Sequence, residues 1–107
     1  MEMKYHKLVR DRIPEIIQNG GKTPVVHTLD DEEYTNALHT KLDEEVKEFH
    51  QDQNGEELAD ILEVVFALAE DLGISREMLM SIYDQKHEAR GGFTHRYFLE
   101  DVEDKCL

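Results

Sequence analysis

From Asp30 to Arg90 the apolar residues recur at three- and four-residue spacing, and the pattern breaks only where cap and turn residues stand. That periodicity suits helices and leaves no room for a sheet. The first long helix is expected to start at Asp30-Asp31, with acids in its first turn, and to run to about Gln51. Asn54-Gly55 interrupts the chain, and a second helix follows from about Glu56 to Leu72, with Gly73 as its stop. Ser75 caps a third helix that reaches Arg90 and ends at Gly91-Gly92. A short helix is expected from about Arg12 to Asn19, with Pro14 in its first turn and Gly20-Gly21 after it. Thr23 to Leu29 is extended in character, either an isolated strand or a loop laid over the core, and the tail from Phe93 shows no clear period. The fold class is therefore all-α: an antiparallel helical hairpin with a third long helix and a short N-terminal one. At 107 residues it is expected to be a single domain over 1–107.

Charge narrows the functions available. The net charge is −13, and all of it lies between Asp30 and Asp71, where 15 Asp and Glu face only Lys41 and Lys47. A broad basic surface for nucleic acid is excluded by that balance. Cys106 is the one cysteine, so no intramolecular disulfide or cysteine-based zinc cluster can form; a reducing, cytoplasmic setting is expected. The N-terminal MEMKYHKLVRDR has no apolar core, and no apolar run approaches about 18 residues, which argues against a signal peptide and a membrane span. His6, His27, His39, His50, His87 and His95 are scattered, without the spacing of a transition-metal site.

On a helical wheel at about 100° per residue, Tyr34, Leu38, Leu42, Val46 and Phe49 form one stripe of the first long helix. Glu45 falls inside it and Glu48 at its edge, whereas Asp43, Glu44 and Lys47 point away. The second helix is expected to bury Leu58, Ile61, Leu62, Val65, Leu68, Ala69 and Leu72. Glu57 lies inside that stripe and Asp60 at its edge, with Glu56 and Glu63 outward. A carboxylate among apolar side chains is costly unless its charge is compensated. One compensation is an ion pair, from Lys41 one turn before Glu45, or from Lys86 or Arg90. The other is a divalent cation: hard ions such as Mg²⁺ take carboxylate oxygens and substrate phosphates. A turn centred near Gln53-Asn54 sets the two helices face to face, which lets the four acids converge.

The run Glu44-Glu45-Val46-Lys47-Glu48 followed by Glu57-Leu58-Ala59-Asp60 resembles the EExxE…ExxD signature of the all-α nucleoside triphosphate pyrophosphohydrolases, the MazG-like superfamily, which includes phosphoribosyl-ATP pyrophosphohydrolase. KLVRDRIPEII near the N-terminus and the later KHEARGGF are similar to a house-cleaning branch acting on non-canonical nucleotides. The resemblance covers about Lys7 to Phe93. It implies a MazG-like bundle and cleavage between the α- and β-phosphates of a nucleoside triphosphate. Mg²⁺, with Mn²⁺ as a substitute, would be held by Glu45, Glu48, Glu57 and Asp60. Glu44 and Glu45 would be the catalytic acids, Glu44 either supporting the ligands from behind or activating water. Lys86 and Arg90 match the family's downstream basic pair, which contacts phosphates. Asp84 stands where many members have Asn, and the eight-residue spacer between Glu48 and Glu57 is short beside many relatives.

Lys7, Arg10 and Arg12 precede Pro14 and would either clasp triphosphate oxygens or offset the acidic window; Lys7 and Arg10 are the favoured phosphate ligands. Without the resemblance, Lys86 and Arg90 read equally well as cations at a helix C-terminus. Phe66, Tyr83, Phe93, Tyr97 and Phe98 are expected in the core or stacked on a base. The expected partners are a nucleotide and, because a narrow hairpin leaves apolar surface uncovered, a second copy in a homodimer or larger homo-oligomer. No nucleic acid or membrane is expected. The alternatives are a phosphoribosyl-ATP pyrophosphohydrolase of histidine biosynthesis and a non-catalytic acidic helical module that binds a basic protein.

Overall fold

The computed structural model describes residues 6–104, so Cys106 lies outside the described residues. Within them are four helices and no strand: α1 (Ile13–Asn19), α2 (Asp31–Gln51), α3 (Gly55–Asp71) and α4 (Arg76–Arg90). Local chemistry accounts for their ends. Asp30 accepts from the Glu33 amide while the Glu33 side chain accepts from the Asp30 amide, a capping box. Asn54 caps α3 through the Glu57 amide at 2.9 Å, and Ser75 caps α4 through the Met78 amide at 3.2 Å. At the end of α3 the Ile74 amide donates to Ala69 and the Gly73 amide to Glu70. This closure needs a left-handed residue, and Gly73 supplies it at φ 80°.

α2 and α3 form the antiparallel hairpin, closed at its far end by a 2.6 Å hydrogen bond from Thr35 Oγ1 to Asp71 Oδ2. Among the described residues the buried side chains are Leu38, Val64, Ala69 and Glu45. Tyr34, Leu42, Val46 and Phe49 flank them, half-buried, as the wheel of α2 requires. The α3 seam differs from the expected one. Ile61, Val65, Leu68 and Ala69 are buried or half-buried as expected, but Val64 is buried as well, while Leu58, Leu62 and Leu72 stay exposed. The apolar arc of α3 is wider than the strip α2 covers, so periodicity alone does not say which of its residues face the partner helix. Asp60 stays at the edge of the stripe, half-exposed, as expected.

α4 meets α3 only near its own start, where the Arg76 guanidinium lies 4.2 Å from the centre of the Phe66 ring. Beyond Leu79 every described residue of α4 is exposed. Tyr83, Phe93, Tyr97 and Phe98 are not core residues; Phe93 is 97% exposed. Residues 23–29 form no strand, and Val25 and Val26 project into solvent rather than covering the hairpin. Both departures share one cause: no described residue packs over these segments. The radius of gyration is 19.5 Å, with extents of 73 × 31 × 21 Å, against about 13 Å for a compact chain of roughly 100 residues. No helix among the described residues is long and apolar enough to cross a membrane.

Candidate functional site

The turn at residues 52–54 sets Glu45 and Glu48 of α2 against Glu57 and Asp60 of α3. Carboxylate oxygens of Glu45, Glu57 and Asp60 lie within 4.8 Å of one another, and those of Glu44, Glu45 and Glu48 do so as well. Glu45 belongs to both groups and is the most enclosed, at 5% exposure. Glu44 was expected to point away from the stripe. It is instead half-buried at the rim of the cluster, because a long side chain can swing back toward cations on the seam.

Three cations reach these acids. Lys41 Nζ is 3.1 Å from Glu45 Oε1 and 3.5 Å from Glu44 Oε1. Lys7 Nζ is 3.8 Å from Glu44 Oε1. Arg10 donates to Asp60 Oδ1 at 2.6 Å across a separation of 50 residues. The ion-pair expectation for Lys41 and Glu45 thus holds for one oxygen. Glu45 Oε2 and Glu57 Oε2 are buried and accept no hydrogen bond. A buried carboxylate oxygen without a donor forfeits its hydration and receives nothing in exchange.

Titration behaviour follows from this crowding. Repulsion from Glu45 raises the pKa of Glu48, aided by burial, by a hydrogen bond with Glu45 and by the charges of Glu57 and Glu44. Burial raises the pKa of Glu57, followed by Asp60, Glu45 and Asp52; its hydrogen bond with Glu48 pulls the other way. Burial alone would lower the pKa of Lys41, but Glu45 and Glu44 overcome it and raise it. Between the raised range of Glu48 and Glu57 and their ordinary 4.5, the folded chain binds more protons than the unfolded one. The contribution of these two groups to stability therefore falls as pH rises through that range. In a buffer containing a chelator, the Tm difference between the wild type and a Glu48→Gln/Glu57→Gln variant is expected to shift in favour of the wild type on mild acidification from neutrality. A difference independent of pH would disprove the coupling.

Lys7, Arg10, Glu44, Glu45, Glu48, Glu57 and Asp60 are thus brought together. Lys86 and Arg90 are not: both are exposed on the far part of α4 and make no ion pair or hydrogen bond with a described residue. Of the two sequence-based expectations for Lys7 and Arg10, the offsetting of the acidic window is the one the ion pairs display, and its specific partners, Glu44 and Asp60, carried no sequence mark. The three-residue spacing of Lys7 and Arg10 beside an unpaired acidic window was the one available signal of the offset.

A 42-residue stretch, 39% of this chain, is 64% identical to part of an uncharacterized protein of Mycolicibacterium smegmatis. The match spans 43% of that protein's length. No protein-family model matches the chain, and no solved structure matches it.

Proposed function

We propose that the chain is a Mg²⁺-dependent nucleoside triphosphate pyrophosphohydrolase of the MazG-like kind, converting nucleoside triphosphates, non-canonical ones foremost, to monophosphate and pyrophosphate. The observation that carries the reading is the pair of buried, unpartnered oxygens, Glu45 Oε2 and Glu57 Oε2, within a convergent set of carboxylates. An all-oxygen donor set fits a hard divalent cation, and Glu45, Glu48, Glu57 and Asp60 would hold it, with Mn²⁺ able to replace Mg²⁺. When bound, the ion supplies Lewis acidity toward phosphate oxygens and water. Glu44, at the rim with Oε1 held by Lys41 and Lys7, would accept a proton from the attacking water or support the ligands from behind. Lys7 and Arg10, which already reach the acids, would offset charge gathering on the leaving pyrophosphate. Lys86 and Arg90 would join them only from a neighbouring subunit or after α4 moves. The same reading includes a homo-oligomer, supported by the uncovered apolar residues of α3, α4 and the tail.

The test is pyrophosphate release across natural and damaged nucleoside triphosphates with Mg²⁺ present. Turnover is expected in the wild type and is expected to be lost in Glu45→Gln and Glu57→Gln. Glu56→Gln and Glu63→Gln, altered on the exposed side of α3, are expected to retain it. Absence of turnover on every nucleotide, or equal losses in Glu56→Gln and Glu57→Gln, would reject the proposal. The non-catalytic acidic module is favoured by a single observation, the Lys41–Glu45 ion pair, which leaves half of the Glu45 carboxylate unexplained.

A further inference from the structure

The segment that carries Lys7 and Arg10 lies across both arms of the hairpin. Lys7 pairs with Glu44 of α2 and Arg10 with Asp60 of α3, while Leu8 and Val9 between them are half-buried. Its two cations thus sit on acids of the two arms that each lie close to the buried Glu45. Resting on the metal reading above, we propose that residues 7–10 form a counterion strap: Lys7 and Arg10 neutralise the acids until a divalent cation binds, then are released to the nucleotide's phosphates, so that metal binding precedes nucleotide binding.

The argument is electrostatic. A guanidinium 2.6 Å from Asp60 Oδ1 uses that oxygen as acceptor and places a positive charge beside the group a divalent cation must bind. The two cations repel each other while competing for one carboxylate. Coupling of this kind is reciprocal: whatever factor the strap takes from metal affinity, the metal takes from the strap's hold. Both partners are substantially exposed, at 53% and 39% of their side chains, so the coupling is modest. Exposed pairs of this type correspond to about a two- to fivefold change in a binding constant. Once released, Arg10 keeps its charge and its planar donor fork, which suits it to a phosphate as well as a carboxylate. Arg10 is on this account a switching ligand, and its removal affects the two binding steps in opposite directions.

The experiment titrates Mn²⁺ into the full chain without nucleotide and follows free Mn²⁺ by electron paramagnetic resonance. Arg10→Ala is expected to bind Mn²⁺ about two- to fivefold more tightly than wild type, and Lys7→Ala to shift in the same direction. Inorganic pyrophosphate added to the Mn²⁺-loaded proteins is expected to bind more weakly to Arg10→Ala. Equal or weaker Mn²⁺ binding by Arg10→Ala would overturn the strap and leave the metal site standing. No Mn²⁺ binding by either protein would overturn the metal reading itself, and the strap with it.

Discussion

Glu45→Gln and Asp60→Asn are expected to abolish the thermal stabilisation that Mg²⁺ or Mn²⁺ confers on the wild-type chain. A ligand that binds only the folded state stabilises it by mass action, by about 2.7 kcal/mol at a hundredfold excess over Kd. For a chain of this size that corresponds to a Tm rise on the order of 10–20 °C. The two substitutions act on different arms of the hairpin. Glu45 lies in the α2 seam with one oxygen on Lys41 and the other unpartnered, and Asp60 lies on α3 beneath Arg10. Each replaces a carboxylate by a neutral amide of nearly the same shape, so packing is preserved while the charge is lost. Thermal melts with and without each cation read the effect. Shifts of equal size in the wild type and both variants would place the bound ion elsewhere and remove the four acids from the site.

Leu38→Ala is expected to bring the chain close to unfolding. Leu38 is 2% exposed and is the largest fully enclosed side chain among the described residues. Truncating such a leucine costs about 2–5 kcal/mol, the lost transfer energy plus the cavity left behind. A domain's whole net stability is about 5–15 kcal/mol, and a small core sits toward the lower end. Leu72→Ala is the matched control, because Leu72 is 76% exposed although it shares the apolar pattern of α3. Exposed substitutions of that kind stay within about 0.5 kcal/mol. Urea unfolding followed by circular dichroism compares the two. Comparable losses would mean that Leu72 is covered in solution, as an interface between copies would require.

The helix ends could be read from the sequence because caps are local. Asp30 with Glu33, Asn54, Ser75 and Gly73 each act on backbone groups within a few residues. Glu45 and Glu57 were legible for a related reason: an acid inside an apolar stripe breaks the pattern at its own position, whatever lies opposite. The choice of Val64 over Leu62 for the α3 seam was not legible, since it depends on which part of a broad apolar arc α2 covers. Nor was the exposure of Phe93, Tyr97 and Phe98, because an aromatic residue reveals its chemistry and not whether a neighbour exists. The Arg10–Asp60 pair spans 50 residues with no periodicity to link its ends, so only the folded chain displays it.

Every clustered acid from Glu44 to Asp60 comes from 17 consecutive residues on either side of one turn. Closing so short a loop costs little chain entropy, and contacts this local belong to the fast-forming class of folding events. The price of gathering like charges therefore falls on the early folding step. Lys7 and Arg10 come from the far end of the sequence, and a chain that has closed only its hairpin has not yet recruited them. In that interval the carboxylates have Lys41 as their near cation and otherwise only dissolved ions to screen them. Added electrolyte is therefore expected to speed hairpin closure, by screening the acids before the native ion pairs exist.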